Sequence, residues 1–547
     1  MITVYRARLI HTLDNQLPTA TAVAVRDGRI LGVGTTVEEL QPWLDTDSHE
    51  VDERYADQVL VPGFIDPHLH PMLPALLMQF PFIAPERWQL PTGDFPGVTD
   101  PDGYWAALTA AFARHDSDDP FITWGYSAWF HGPMARAALD ERLSADHPVV
   151  VWDRSFHAVF VNSAGLKWLG ISGPADLPDL PGVAEQVDLE KGHFFEGGLA
   201  AFFPKVQQVY GTAERVSAGF QRFAEMVRAA GVTTVADMAL GILAAPELEL
   251  ALQQQNFEDP AVGFRVVAVP NETSFLQEGV DPEAALGRVE SMVEQTQGRN
   301  VEVSRHFKLF ADGAFFSQGF RLCSPGYLDG HEGEWVAPPA MTTNFAHTFW
   351  DAGYQLHIHV NGDDGARFCL DLAAECFERQ PRLDHRFTLE HWGFATEEQN
   401  RRAAALGCQV SMQPNYTHVL GDVYRGSLGA DRVARLSGAG TAVSHGLPLA
   451  LHSDCPMAPI DPIGLMRTAV TRRTLAGNVV GAGECLTPEQ ALRAVTIDAA
   501  WILRMEDELG SVRAGKRADF TVLDQDPLQH LDTVSVVGSV FAGTPVA

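Results

Sequence analysis

Residues 61–70 read Val-Pro-Gly-Phe-Ile-Asp-Pro-His-Leu-His, an apolar run that ends in two histidines one residue apart. Successive side chains of a β-strand point to opposite faces, so His68 and His70 are predicted to project from the same face. Two neutral imidazoles at one strand end can bind a transition-metal ion. The alternative interpretation is that both histidines are surface residues whose spacing has no functional meaning. Residues on the later strands help to decide between these two interpretations.

Size and composition favour a large, folded and soluble protein. The chain has 547 residues, a length that an α/β barrel with insertions reaches. Hydrophobic residues make up 46%, which allows a large core and argues against disorder. The formal net charge of −31 argues against a nucleic-acid partner, because binding a phosphate backbone requires basic patches.

The cysteine spacing and the N-terminal sequence indicate the cellular compartment of the protein. The six cysteines have no CxxC spacing, so they indicate neither a zinc-thiolate motif nor a secreted disulfide framework. Residues 1–8 lack an apolar signal region, and no stretch has the uncharged length of a membrane span. We therefore predict a cytoplasmic protein without a membrane partner.

The two ends of the chain are predicted to form β-structure. Asp27-Gly28 lies between two short apolar runs, which is a hairpin signal. Residues 515–524 form another turn followed by a strand-like run. We predict that 1–60 and 506–547 together make a small composite β-sandwich domain.

The middle of the chain alternates strand-like and helix-like segments. Eight parallel strands joined by helices close a barrel, so an α/β fold of the (β/α)8 TIM-like type is predicted for 61–505. The candidate strands are 61–70, 232–238, 263–269, 304–311, 354–360, 386–391, 407–413 and 447–454. Residues 71–225 are rich in Trp, Phe and Pro and interrupt the alternation. We predict that they are an insertion after barrel strand 1 that forms a lid over the active site, with an independent domain as the alternative.

Polar residues mark the ends of several predicted strands. Lys308, His359, His391 and Asp454 each lie in or directly after an apolar run. Burying such groups is costly unless they are paired or bound to metal. In barrels of this type the chemistry lies at the carboxyl ends of the strands, where these residues fall.

The set resembles the metal-dependent amidohydrolase superfamily in order and placement. The residues that carry the resemblance are His68, His70, Lys308, His359, His391 and Asp454. Segments 22–30, 231–237, 308–313 and 359–363 are similar to the YtcJ-like branch, also called amidohydrolase family 3. That branch includes N-substituted formamide deformylases, and the resemblance covers nearly the whole chain.

The resemblance implies a hydrolase that cleaves a non-peptide C–N bond in a small molecule. His68, His70, His359 and His391 would bind a divalent metal, with zinc as the expected ion and one or two ions per site. Metal-bound hydroxide would attack a linear amide, such as an N-substituted formamide. Asp454 would act as general base and then as general acid towards the departing nitrogen.

Lys308 has several interpretations. In binuclear relatives a lysine at this place carries a carboxylate derived from CO2 and bridges two metals, so Lys308 is a candidate metal ligand. The alternatives are an unmodified lysine that pairs with Asp312 or one that points at the substrate. His357 and His452 share strand faces with the candidate site, and they would either contact the ligands or be ordinary core histidines.

Substrate-binding candidates come from the insertion and the loops. His157 and Asn162 resemble a motif of the same branch, and Glu196 is a weaker example. Trp124 and Phe316 could line an apolar pocket, although aromatic clusters are more often ordinary core.

Two other functions stay open at the level of sequence. One is deamination of an amino-heterocycle, and the other is a regulatory or binding role without turnover. The sequence has no GxxxxGK[ST] loop, no GxGxxG after a first strand and no GxSxG elbow. Relatives often dimerise, so a homodimer is the expected assembly.

Overall fold

A computed structural model of the protein describes residues 1–90, 92–179 and 183–546, with the side chain of Glu196 left outside that description. The chain divides into two compact units. The larger unit consists of Met1–Pro71 and Ala224–Ala547, and the smaller unit is Met72–Phe223.

The two chain ends meet in one seven-stranded sheet of the larger unit. Its strands, from edge to edge, are Thr544–Val546, Val536–Phe541, Phe520–Leu523, His49–Pro62, Ile2–His11, Thr19–Arg26 and Arg29–Gly34. Asp27 and Gly28 both have positive φ, 52° and 74°, as the tight turn between the last two strands requires. The sequence predicted a sandwich, whereas these strands hydrogen-bond in a single sheet. The neighbours Ala22 and Val23 belong to different apolar clusters, so both faces of the sheet are covered.

The larger unit also contains the barrel strands. In chain order they are Phe64–Leu69, Val232–Leu240, Arg265–Pro270, the two pieces Val301–Val303 and His306–Phe310, Gln355–Val360, Thr388–His391, Gln409–Met412 and Leu449–Leu451. The fourth strand is broken: its first piece pairs with the third strand and its second piece with the fifth, all in parallel. Each of the eight candidate strands overlaps one of these elements.

The first and last barrel strands are joined where they end. Asp454 N donates to the carbonyl of His68 at 2.9 Å, and His70 N donates to the carbonyl of Cys455 at 3.0 Å. This seam brings the two ends of the strand series together at their carboxyl side, so the architecture is of the TIM-barrel type.

Helices connect the barrel strands and follow the last one. They are Pro246–Phe257, Glu272–Gln277, Pro282–Thr296, Pro339–Asp351, Asp363–Arg379, Glu397–Ala405, Asn415–Leu420, Arg425–Leu428, Ala430–Val433, Ala439–Ser444, Pro462–Thr471, Pro488–Ala494 and Ile497–Ile502. In 1–90, 92–179 and 183–546, no helix combines the length and apolarity that crossing a bilayer requires.

The smaller unit has its own sheet and core. Its five strands lie in the order Val187–Asp188, His193–Phe195, Ala158–Val161, Val149–Asp153 and Phe121–Tyr126, and Trp88–Leu90 pairs with Gly93–Phe95. Its helices are Met72–Leu77, Pro101–Phe112, Ala128–His131, Arg136–Arg142, Ser163–Leu169 and Phe203–Tyr210, and helix Ala213–Ala229 contains the boundary between the units. Tyr104, Leu108, Phe121 and Val149 lie in the apolar cluster of this unit.

Candidate metal centre

The histidine pair of the first strand lies against Asp454. His68 and His70 are 1% and 8% exposed, and their ring centroids are 5.2 Å apart. Asp454 Oδ1 is 3.0 Å from His70 Nε2 and 3.5 Å from His68 Nε2. One candidate ligand atom from each of the three residues lies within 4.8 Å of the others. These side chains could therefore share one cation.

His391 and His359 complete the cluster from the sixth and fifth strands. The His391 ring centroid is 4.7 Å from that of His68 and 4.5 Å from that of His359. His391 Nδ1 is 3.8 Å from Asp454 Oδ2. His359 Nε2 is 3.0 Å from the side-chain nitrogen of Asn361. The structure thus brings together the four predicted histidines and Asp454.

Two residues of the cluster have an unusual backbone. His391 and Asp454 have φ values of 69° and 55°, in the left-handed region that non-glycine residues seldom adopt. In a regular strand Glu390 and His391 would face opposite ways. The turn at His391 instead lets both side chains contact His68. Such strained conformations concentrate at functional sites.

Lys308 is buried on the fourth strand. Its side chain is 0% exposed, and Nζ has no hydrogen-bond partner among the described residues. Burial lowers the pKa of the amine to about 8, although the negative charges of Glu390 and Asp454 oppose that shift. Asp312 instead accepts backbone N–H groups, from Asn361 at 2.9 Å and Gly362 at 2.8 Å. Within the described chain, the Lys308–Asp312 ion pair considered from the sequence is absent.

The buried atoms of this cluster fit a bound divalent metal. His68 Nε2 and His70 Nδ1, like Lys308 Nζ, are buried without a hydrogen-bond partner in the described residues. Leaving such atoms unpaired costs free energy, about 1–3 kcal/mol per group. A bound cation would coordinate an imidazole nitrogen that makes no hydrogen bond. Imidazole nitrogen with carboxylate oxygen is a donor set that zinc accepts.

Glu390 is a site residue that the sequence analysis missed. Its carboxylate is 0% exposed, with Oε2 2.6 Å from His68 Nδ1 and Oε1 2.6 Å from His357 Nδ1. Burial raises the pKa of Glu390, but the hydrogen bond and charge of His357 and the charge of Lys308 outweigh it and hold the pKa at about 2. The available signal was a carboxylate inside an apolar strand, directly before a candidate ligand.

His452 also contacts a candidate ligand. Its Nε2 is 3.1 Å from His391 Nδ1, and its Nδ1 is 2.7 Å from the hydroxyl of Ser411. His357, as described, contacts Glu390. Contact with a candidate ligand therefore describes His452, whereas His357 contacts Glu390, which is not a candidate ligand.

Phe316 lies near the cluster through an aromatic neighbour. It is 8% exposed, and its ring centroid is 5.7 Å from that of Tyr416. Tyr416 is in turn 6.3 Å from the His391 ring and stacks on Phe315 at 4.2 Å. Tyr416 was not predicted, because a tyrosine after a strand has no distinctive sequence signal.

The candidates in the smaller unit have structural partners there. Asn162 is 0% exposed, and its Oδ1 accepts the N–H groups of Val149 at 2.9 Å and Gly165 at 2.7 Å. Its Nδ2 donates to the carbonyls of Ser144 and His147. This amide therefore caps helix Ser163–Leu169 and fastens a neighbouring loop. These bonds give Asn162 a structural role within the smaller unit, and its substrate contact stays a prediction.

Trp124 is likewise a core residue of the smaller unit. It is 1% exposed and packs against Phe82, Trp88 and Phe156, with ring centroids 4.3, 5.7 and 5.8 Å away. Trp124 therefore packs in an interior aromatic cluster, and its place in a substrate pocket stays a prediction. His157 is half-buried and its backbone N–H donates to the Ser155 hydroxyl at 3.1 Å. The Glu196 side chain lies outside the described residues.

Histidines and a carboxylate clustered at the strand ends of a TIM-type barrel are an arrangement that metal-dependent barrel hydrolases use. The chain belongs to the amidohydrolase family, whose model matches residues 56–547. It is 27% identical to an N-substituted formamide deformylase of Arthrobacter pascens, over 95% of this chain and 92% of that protein. It is 25% identical to the putative amidohydrolase YtcJ of Bacillus subtilis (strain 168), over 96% of this chain and 95% of that protein.

A solved structure has the same fold. An uncharacterized metal-dependent hydrolase from Pyrococcus horikoshii OT3 aligns with a TM-score of 0.72 and 20% identity, covering 96% of this chain and 98% of that chain. The predicted family and the prediction of an amidohydrolase enzyme are confirmed by these comparisons.

Proposed function

We propose that the protein hydrolyses the C–N bond of a small linear amide, with N-substituted formamides as the first candidates, at a site that requires a divalent metal. The observation that carries the proposal is the position of Asp454 Oδ1, 3.0 Å from His70 Nε2 and 3.5 Å from His68 Nε2. A carboxylate beside candidate ligands can exchange a proton with a water molecule held there. The similarity to a formamide deformylase supports the choice of substrate class.

The proposed ligands are His68, His70, His359 and His391, with Lys308 as a further candidate. Zinc is the proposed ion, in one or two copies. When bound, a divalent ion polarises a substrate carbonyl and makes bound water more acidic.

Asp454 is proposed to move the proton. Its carboxylate takes a proton from the attacking water and delivers it to the amide nitrogen as the C–N bond breaks. The nitrogen needs that proton, because an amide anion is too poor a leaving group. Water adds to the carbonyl carbon, so an N-substituted formamide yields formate and an amine. Phe316 and Tyr416 are proposed to form an apolar wall for the substituent.

The test combines metal analysis of the purified protein with assays on a panel of N-substituted formamides and amides. We expect an amine plus a short acid as products. Ammonia released from an amino-heterocycle, with no amide cleaved, would refute the amide substrate and favour deamination. One metal equivalent is expected for an unmodified Lys308, and two for a carboxylated one.

Asp454→Asn tests the role of the carboxylate. The variant should keep its metal and lose about 10²- to 10⁴-fold in kcat, the usual contribution of general acid–base catalysis. Asp461→Asn is the matched control, because Asp461 caps the following helix by accepting Gly464 N at 2.9 Å. It should retain activity. Full activity in Asp454→Asn would refute the mechanism.

A further inference from the structure

A chain of buried polar side chains runs between the barrel strands and ends on His68. His306 Nδ1 is 2.8 Å from His357 Nε2, and His357 Nδ1 is 2.6 Å from Glu390 Oε1. The other carboxylate oxygen, Glu390 Oε2, is 2.6 Å from His68 Nδ1. All four side chains are at most 2% exposed. Each group therefore depends on its neighbours in the chain for hydrogen bonds.

The bonding capacity of these groups determines where their protons lie. An ionised carboxylate only accepts, so His68 and His357 must each donate from Nδ1 to Glu390. The Nε2 atom of His357 is then an acceptor. This agrees with the side-chain amide of Gln355, a donor, which lies 3.2 Å from the same atom. A neutral imidazole has one N–H, so Nε2 of His68 keeps its lone pair.

The free nitrogen of His68 faces the candidate centre. His68 Nε2 is 3.5 Å from Asp454 Oδ1 and has no hydrogen-bond partner among the described residues. We propose that Glu390, held in place by His357 and His306, is a positioning residue that fixes His68 in the tautomer whose Nε2 binds the metal ion. The inference rests on the proposed metal site. Carboxylates that orient ligand histidines in this way typically contribute about 10- to 100-fold to metal affinity.

The contact on His391 does not impose a tautomer in the same manner. His391 Nδ1 meets His452 Nε2, and His452 Nδ1 meets the Ser411 hydroxyl. A hydroxyl either donates or accepts, so both directions of this relay satisfy its members. Glu390 is an acceptor only, so of these two contacts the one on His68 is the one that selects a tautomer.

Glu390→Gln tests the proposal. The amide has one accepting oxygen and one donating nitrogen, so it cannot accept from both His68 and His357. Because His357 Nε2 already accepts from Gln355 and lies beside His306 Nδ1, His68 is the histidine that moves its proton to Nε2. We expect the Kd for Co²⁺ of the metal-free protein, measured by titration, to rise about 10- to 100-fold. The visible absorption of bound Co²⁺ should change, and Glu390→Asp, which keeps two acceptors, should recover part of the affinity.

Glu249→Gln is the matched control. Glu249 is also 0% exposed, but its carboxylate accepts backbone N–H groups from Gly241, Leu243 and Ala244. It should bind Co²⁺ like the wild type. Folding of every variant is checked by circular dichroism.

The outcomes separate the two proposals. If the wild type binds no Co²⁺, the metal site itself is refuted. If the wild type binds and folded Glu390→Gln binds with unchanged Kd and spectrum, the positioning role alone is refuted. Should Glu390→Gln not fold, His357→Gln replaces it: a Kd at least threefold higher supports the proposal, and an unchanged Kd overturns it.

Discussion

Replacing Lys308 by Met should stabilise the metal-free protein while impairing the candidate site. The amine of Lys308 is 0% exposed and has no hydrogen-bond partner among the described residues. Folding therefore removes the amine from water without giving it a hydrogen bond, and the attraction of Glu390 and Asp454 offsets that cost only in part, because burial still lowers the pKa of Lys308. Met has a similar length and volume, so the substitution leaves no large cavity and keeps the apolar contacts of the side-chain stem.

The expected gain follows from the cost of an unpaired buried polar group. That cost is about 1–3 kcal/mol, and more for a charged group. One kcal/mol raises Tm by about 2–4 °C in domains of 150–250 residues. The larger unit, Met1–Pro71 with Ala224–Ala547, exceeds that size, so the shift per kcal/mol is smaller. The variant should therefore unfold about one to a few degrees above the wild type when both are treated with a chelator at neutral pH.

Lys516 provides the matched control. It is 8% exposed, but its Nζ donates to the carbonyl of Leu509 at 2.9 Å. Lys516→Met leaves that carbonyl unpaired and should lower Tm. Differential scanning calorimetry of both metal-free variants gives the comparison. A Lys308→Met variant that folds and yet melts below the wild type would refute the reasoning from burial.

Two further predictions concern groups outside the candidate ligand set. Burial raises the pKa of Glu272 to about 8, so the folded state retains a proton that the unfolded state loses near 4.5. Stability should then fall as pH rises between about 5 and 8, by at most about 5 kcal/mol at 1.36 kcal/mol per pKa unit. Glu272→Gln removes this dependence, so its Tm relative to wild type should climb over that range; parallel Tm curves would contradict the shift. Asn162→Ala should lower the unfolding free energy by about 2–3 kcal/mol, because it removes a helix cap and three further hydrogen bonds. Its KM should stay unchanged, and a raised KM with unaltered Tm would instead assign Asn162 to substrate binding.

The alternation of side chains along a β-strand explains which part of the site could be predicted from the sequence. His68 and His70 are two residues apart on one strand, and their shared face follows from backbone geometry alone. The barrel strands were likewise readable from apolar runs separated by helical segments. Each such signal is local, so a single sequence contains it in full.

Glu390 shows why the rest was not readable. Its contact with His68 joins residues 322 positions apart, and its neighbour His391 reaches the same ring only through a left-handed backbone. A period-two pattern places consecutive residues on opposite faces. No local feature of the sequence predicts the left-handed backbone at His391 that breaks this pattern. Asn162 illustrates the reverse case, where a polar residue in a motif is satisfied entirely by nearby backbone.

The seam between the first and last barrel strands has a consequence for biosynthesis. Ser453 N donates to Asp66 Oδ1 at 3.2 Å across 387 residues of sequence, beside the bonds that join His68 to Asp454. Contacts of such long range form late, because the closure entropy of the chain is lost before they are made. A nascent chain therefore carries His68 and His70 without their carboxylate partner until nearly all of it has been synthesised. A metal held by His68 and His70 together with His359 and His391 would link the first barrel strand to the fifth and sixth, and its release would loosen that link.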